Sequence, residues 1–226
     1  MLLRRVLNKL VRPLGLLCVE KPSISPLPRL DEKYLRNARI LPSREDILAR
    51  LPQGGVVAEI GVAFGHYSRK ILNTMKPRQF VAVDCFGLDH TTWSGRQVYA
   101  KFLGGMRHED FYRKQFAAEI ESGAVVVKKG FSHEVMETFP DAYFDMIYVD
   151  AAHDYASVAK DLEVSGRKIK PTGHIVMNDY TLVDPLLLQP YGIVQATHEF
   201  CVREGWEIVY LAQHPHMFCD VALKKL

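Results

Sequence analysis

Residues 56–65 read VVAEIGVAFG. Val56, Val57, Ala58, Glu59, Ile60 and Gly61 form a short, nearly all-apolar run with one carboxylate near its end. That is the pattern of a parallel strand covered by helices on both faces. Gly61 and Gly65 follow, and a helix opens at Ser68 (SRKILNTM). Strand, glycine turn and helix together build the nucleotide site of a doubly wound sheet, because glycine lets the backbone approach a ligand and the helix N-terminus faces it. A plain strand-to-helix turn has the same outline, so the spacing decides. A G-x-G-x-x-G fingerprint would need glycine at Ala63 and His66, and neither is glycine. No G-x-x-x-x-G-K-[ST] occurs anywhere. A dinucleotide diphosphate cradle and an ATPase-type phosphate loop are therefore both excluded. What remains is E-x-G-x-x-x-G, then a second strand, Phe80–Cys85 (FVAVDC), with Asp84 near its end. An acid there can reach ribose hydroxyls. The stretch reads as a nucleoside site without a diphosphate.

Outward from this unit, strands and helices alternate. Ala124–Lys129 (AVVVKK) reads as the third strand and SHEVMETF, from Ser132, as its helix. Phe144–Asp150 is the fourth strand, with Tyr155–Lys168 its helix. His174–Asp179 is the fifth, after a turn at Lys170–Gly173, and Ile193–Glu204 is the next helix. Trp206–Ala212 and Phe218–Lys224 close the chain around a turn at His214-Pro215-His216. Such alternation predicts an α/β fold, a Rossmann-like, seven-stranded, mostly parallel sheet. The short last connection predicts an antiparallel C-terminal edge hairpin. Leu30–Leu51 reads as a short helical region capped by Ser43 before REDILARL. Phe86–Gln97, polar and carrying Trp93, is a candidate lid or substrate loop.

At 226 residues the chain has room for one large single-sheet domain, assigned to residues 30–226. A net charge of +3 is too small to indicate a nucleic-acid partner. Its four cysteines form no C-x-x-C pair, and Cys85 and Cys219 fall in expected strands. They read as buried thiols of a cytoplasmic protein. Residues 1–29 form a separate arm. In MLLRRVLNKLVRPLGLL, Leu3, Val6, Leu7, Leu10 and Leu14 share one helical face and Arg5, Lys9 and Arg12 the other. The charges rule out a membrane span and interrupt the apolar core of a cleaved signal. Two readings stay open: a basic helix lying on an anionic membrane surface, or one packed on its own domain or on another subunit of a homo-oligomer. Pro-rich EKPSISPLPR then reads as a linker.

The chemistry concentrates in YVDAAHDY and VMNDY, at the ends of strands four and five. In an open α/β sheet, ligands sit outside the carboxyl ends of the strands. If these strands are parallel neighbours, their ends lie about 5 Å apart. Asp150 then meets Asn178 and Asp179 across one gap. Carboxylates and a carboxamide, completed by water, suit Mg²⁺; loop acids bonding the backbone fit the same residues. The remaining histidines lack carboxylate or cysteine companions and read as surface residues.

EIGVAFGHYS and VAVDCF resemble the first two motifs of class I S-adenosylmethionine-dependent methyltransferases. YVDAAHDY, DLE and IKPTGHIVMNDY look like the metal-dependent O-methyltransferases that modify sugars of macrolides and surface glycans. The resemblance covers Pro52–Tyr180. Thr172 departs from its P-G-G turn and Asn178 from its acidic pair. It implies that Glu59, Gly61, Val62, Gly65, Ser68, Asp84, Cys85, Phe131, Ser132 and Asp150 hold S-adenosylmethionine, with Phe131 and Ser132 bordering the adenine. It implies Mg²⁺ on Asp150, Asn178 and Asp179, and His153 as general base toward a sugar or glycan hydroxyl. No D/N-P-P-Y/F motif occurs, which disfavours amino-group methylation of that class. An aminopropyltransferase on the same sheet and a non-catalytic cofactor-binding partner protein are the alternatives.

Overall fold

The computed structural model describes residues 26–93, 96–97, 99–185, 188–213 and 217–226. The arm helix expected over residues 1–17, most of the linker after it, and the His214–His216 turn lie outside the described residues. Ten strands are numbered in chain order. β1 is Arg39–Leu41, β2 Val56–Ile60, β3 Gln79–Asp84, β6 Val125–Lys129 and β7 Phe144–Val149. β8 is Ile169–Met177, β9 Trp206–Gln213 and β10 Cys219–Lys225. β4 (Thr92–Trp93) and β5 (Arg96–Gln97) pair apart from these as a small ribbon. The other eight form one sheet in the order β1-β9-β10-β8-β7-β2-β3-β6. β8, β7, β2, β3 and β6 run parallel, and β10 is antiparallel to both its neighbours. The expected architecture and antiparallel C-terminal pair are therefore present, with β1 rather than the pair at the sheet's edge.

The strand count is eight rather than seven, because β1 adds parallel to β9 inside a segment expected to be helical. Three residues, RIL, carry no readable period, so this pairing is decided by tertiary contact. The rest of that segment is a 3₁₀ turn at Glu32–Tyr34 and helix α1, Arg44–Arg50. The Ser43 hydroxyl caps α1, accepting from the Asp46 amide at 3.3 Å. β8 begins five residues before the expected fifth strand, and its pairing with β7 shifts register between Phe144 and Met146, where the Lys170–Gly173 turn was expected.

β2 is buried at every position, as its unbroken apolar run requires. Its residues alternate between two apolar layers. Val56, Ala58 and Ile60 face α6 (Tyr155–Lys168) and α7 (Ile193–Glu204) through Val158, Leu162 and Phe200. Val57 faces α1, α2 (His66–Met75) and α3 (His108–Gln115) through Ile47, Ile71 and Tyr112. α4 (Ala117–Glu121) and α5 (Ser132–Glu137) complete the helices among the described residues. In register, Ile60 pairs with Val83 and Val149, and Val149 with Met177. Gly61, Asp84, Asp150 and Asn178, each the next residue or the strand's last, therefore line up along one carboxyl edge. β2 leads on to β3 at one side and its neighbour β7 to β8 at the other, which makes this the switch point at which an open sheet leaves a crevice.

Candidate active site

A cleft of about 470 Å³ opens at this edge, bordered by Gly61, Ala63, Asp84, Gly130 and Asp150. Glycine is obligatory at position 61. Its φ is +84°, and a Cβ there would lie 1.9 Å from the Asp150 carbonyl oxygen. Gly65, at φ +77°, caps α2, and a Cβ there would lie 2.6 Å from the Phe116 ring. Asp84 holds the turn between them. Its Oδ2 accepts from the amides of Val62 (2.9 Å) and Ala63 (3.3 Å), and its Oδ1 from Phe86 at 2.6 Å. A carboxylate has about four acceptor positions, so one remains for a ribose hydroxyl. Cys85 also borders the cleft and is exposed, which corrects the expectation of a buried thiol: β3 ends at Asp84, one residue before it.

Glu59 and Ser68, expected as cofactor contacts, are buried in the wall and do not line the cleft. Strand alternation points Glu59 away from the cleft, into the layer of α2 and α3, and it is 1% exposed. Ser68 is also buried; its hydroxyl donates to Glu59 and accepts from the Tyr112 hydroxyl at 3.0 Å. Burial drives the Glu59 carboxyl well above its ordinary pKa, the Ser68 bond opposing. Val62 and Gly65 are buried as well and contribute through the backbone of the turn. Helix α2 starts at His66, two residues before the expected position.

Beyond β7 and β8 lies an acid–histidine cluster. The His153 Nε2 sits 3.7 Å from Asp150 Oδ1 and 3.8 Å from Asp179 Oδ2. These are ion-pair distances, too long for hydrogen bonds, and Nε2 is enclosed without a hydrogen-bond partner. The Tyr191 ring lies over the imidazole, centroids 4.4 Å apart, and the Gly192 amide donates to the His153 carbonyl at 2.8 Å. Burial works to lower the His153 pKa, but Asp150 and Asp179 outweigh it and raise it. Asp179 is pushed up to about 6, first by burial and then by the Asp150 charge.

Asn178 does not join this cluster. β8 ends at Met177 and Asp179 takes φ +51°, so the chain turns between the two side chains. The Asn178 amide donates to Asp220 Oδ1 at 3.0 Å, which ties its side chain to β10. Among the described residues no group of three or more His, Cys, Asp or Glu side chains converges as a metal site by itself. Asp150 and Asp179 do fit a divalent cation in charge, since two carboxylates facing one imidazole raise each other's proton affinity until a cation is shared.

Four residues to which sequence reading assigns no role are engaged around this edge. His108 is buried rather than superficial: its Nδ1 accepts from the Leu88 amide at 3.4 Å, and its Nε2 donates to the Ala63 carbonyl at 2.6 Å. It ties the glycine turn to the loop after β3. His198 is likewise engaged, bonding Pro28 O at 2.8 Å and Tyr180. Asp220, fully buried on β10, accepts from the Tyr148 hydroxyl at 2.7 Å as well as from Asn178. Asp161 on α6 borders the cleft and accepts from the Ser132 hydroxyl at 2.5 Å. His108, His198 and Asp220 have no local spacing to mark them, and the DLE stretch that holds Asp161 carries the resemblance without giving that residue a role.

Residues 58–180, more than half of the chain, match the family model described as a methyltransferase domain. No curated protein matches the chain. Among solved structures, the O-methyltransferase TomG from Streptomyces achromogenes, involved in tomaymycin synthesis and solved with SAM, is similar at 17% identity. Its TM-score is 0.55, over 80% of this chain and 78% of that one. Precorrin-6y C5,15-methyltransferase from Geobacter metallireducens gives 16% identity and a TM-score of 0.53, over 80% and 86%. Spermidine synthase from Thermotoga maritima gives 15% and 0.52, over 80% and 58%. At these identities the likeness is one of fold.

Proposed function

Since the chain belongs to the methyltransferase-domain family, we propose that it moves the methyl group of S-adenosylmethionine onto a hydroxyl oxygen held among Asp150, His153 and Asp179. One observation carries this reading: Asp150 borders the cleft with one side and faces His153 Nε2, 3.7 Å away, with the other. A donor in the cleft and an acceptor at the acid–histidine cluster would thus share a wall. The O-methyltransferase TomG, solved with SAM, has the same fold and supports the choice of donor.

In this reading Gly61 lets the donor lie against the backbone of β2, Asp84 receives ribose hydroxyls, and the loop after β6 borders the base. His153 takes the acceptor's proton at Nε2, an enclosed atom without a partner. Tyr191 and Gly192 keep its ring aligned. A positioned base of this kind contributes about 10²–10⁴ in rate. Much of the remaining rate comes from holding oxygen, methyl carbon and sulfur in line. Asp150 and Asp179 would hold Mg²⁺, which when bound lowers the pKa of the acceptor hydroxyl. The acceptor class is a sugar or glycan hydroxyl, by the resemblance of the D-x-x-H-x-Y and N-D-Y stretches. No helix among the described residues is long and apolar enough to cross a membrane.

The test is release of S-adenosylhomocysteine from the full chain over a panel of nucleotide sugars and glycans, with and without exhaustive chelation. Acceptor-dependent release, abolished by chelation and restored by Mg²⁺, is expected. Undiminished release after chelation would make the two acids structural. Asp150, Asp179 and Asp184 around His153 also favour a second reading, a cationic amine acceptor as in an aminopropyltransferase. Turnover of the decarboxylated donor with a polyamine, and none with hydroxyl acceptors, would establish it instead.

A further inference from the structure

Near the acid–histidine cluster stands an arginine to which methyl transfer gives no task. Arg44 opens α1 directly after the Ser43 cap and is half-buried. Its guanidinium lies over the Tyr67 ring, 4.3 Å from the centroid, and the Tyr67 hydroxyl donates to the Arg44 carbonyl at 3.4 Å. Its Nη1 donates to the Tyr148 hydroxyl at 3.4 Å, and that hydroxyl donates in turn to Asp220 at 2.7 Å. Two aromatic rings, themselves 4.3 Å apart, thus fix the plane and one edge of the guanidinium. Nε and Nη2 reach no acceptor among the described residues, and neither is enclosed. No carboxylate among the described residues forms an ion pair with Arg44. Tyr148 precedes Asp150 by two residues, so their side chains leave one face of β7 about 7 Å apart. Burial raises the pKa of the Glu59, Asp179 and Asp220 carboxyls, and the Arg44 charge opposes that rise in all three. Arg44 is therefore a cation within the field of the cluster, rigidly held and with an open edge.

Resting on the reading of the acid–histidine cluster as the seat of the acceptor hydroxyl, we propose that Arg44 anchors an anionic group of the acceptor. The preferred substrate is then an acidic sugar, bearing a carboxylate or a phosphate, rather than a neutral one. The chemistry of the anchor favours an oxyanion. A guanidinium is always charged, carries donors only, and presents them in a planar fork that matches carboxylate and phosphate oxygens. Stacking on Tyr67 holds that fork in place before the ligand arrives, so little freedom is lost on binding. A cation kept to balance Asp220 would bond it directly, yet the Tyr148 hydroxyl stands between the two. The acids sharpen the choice. An anion placed elsewhere beside Asp150 and Asp179 meets like charge, so a negative group is admitted where Arg44 receives it. The spacing along β7 suits one sugar ring, with its hydroxyl toward His153 and its acidic substituent toward Arg44.

The test is S-adenosylhomocysteine release by the full chain from methyl glycosides of glucose, galactose and mannose, each offered as the neutral sugar, its uronate and its 6-phosphate. The wild type should favour an acidic form over its neutral counterpart by about tenfold to a hundredfold in kcat/KM, the worth of one charged hydrogen bond. Most of the difference should lie in KM, because the anchor is remote from the reacting oxygen. Whether uronate or phosphate leads identifies the anion. Arg44→Gln should shrink the preference to a few-fold or invert it, and Arg44→Lys, which keeps the charge without the fork, should retain part of it. A wild type that turns over neutral and acidic forms equally, or an Arg44→Gln variant that loses the same factor on both, overturns the assignment and leaves methyl transfer to a hydroxyl standing. Release from no member of the panel refutes the sugar-hydroxyl reading itself, and this inference with it. The wild-type comparison needs no variant, so a misfolded Arg44→Gln leaves the test intact.

Discussion

Replacing Gly61 with alanine should damage both the fold and the site, and the size of each effect can be worked from its surroundings. Two terms add. The first is conformational: φ at Gly61 is +84°, and a side chain in the left-handed region costs about 1–2 kcal/mol. The second is steric. The new methyl would lie 1.9 Å from the Asp150 carbonyl oxygen and 2.8 Å from the Ala151 Cα, both backbone atoms that cannot rotate away. Relieving that overlap means separating β2 from β7 at the bond from the Asp150 amide to the Ile60 carbonyl, now 2.7 Å. Overpacking of this kind costs roughly 1–3 kcal/mol and the lost bond about 1 kcal/mol more. The sum, about 3–6 kcal/mol, is a large part of the stability of an ordinary domain. Gly54 provides the control. Its φ is +75°, with nothing within 4 Å of the added carbon, so Gly54→Ala should show the conformational term alone. Urea unfolding of both variants, with calorimetric titration of S-adenosylmethionine into whatever remains folded, makes the comparison. Gly61→Ala should lose at least 2 kcal/mol more than Gly54→Ala, and donor affinity with it. Equal losses in the two variants would refute the close approach of β2 to Asp150.

Other outcomes follow from the same geometry. Asp84→Ala frees the amides of Val62, Ala63 and Phe86, so donor affinity should fall about tenfold to a hundredfold by calorimetry; unchanged affinity removes Asp84 from the site. Asp220 is pushed up to about 7, chiefly by burial, above an unfolded value of about 3.9. It binds its proton more tightly when folded, so its contribution is fully present below about pH 4 and lost as pH rises through 7, by roughly 4 kcal/mol. Asp220→Asn should flatten that decline in urea unfolding curves, and a parallel decline in both proteins would contradict it. For the arm, sedimentation with anionic vesicles should bind the full chain more than a chain beginning at Pro22, by about 1 kcal/mol for each of Arg5, Lys9 and Arg12 and less at high salt. Equal binding would mean that the arm packs on protein.

The sequence displays a feature when one local pattern determines it. β2 and its glycine turn were legible because an unbroken apolar run and two left-handed positions admit few alternatives. α6 and α7 were legible to the residue because Asp154 and Gly205 mark their ends, Asp154 accepting from the Ser157 amide and Gly205 turning left-handed at φ +68°. β1 was not, since three residues paired with a strand about 170 positions away leave no local trace. At the site, the meeting of Asp150, His153 and Asp179 could be read from strand order, because parallel neighbours align their ends. The directions of Glu59 and Asn178 could not. Glu59 looked like a ligand acid by position, yet strand alternation turns it into the core. Asn178 gives its amide to Asp220, a partner brought in by the antiparallel β10. The contacts of His108, Asp161 and Asp220 were invisible for the same reason: each is made to a partner at least 20 residues distant.

The central claim, that the acid–histidine cluster receives a hydroxyl for methylation, is tested most directly by following the methyl group itself. The full chain is incubated with S-adenosylmethionine labelled with ¹³C at the methyl carbon and the sugar or glycan acceptor that supports turnover. The product is read by NMR, beside the same reaction with His153→Ala. The account predicts a new O-methyl signal, formed about 10²–10⁴ more slowly by the variant while donor affinity stays unchanged. A methyl group on nitrogen or carbon, or an undiminished rate in His153→Ala, would contradict it.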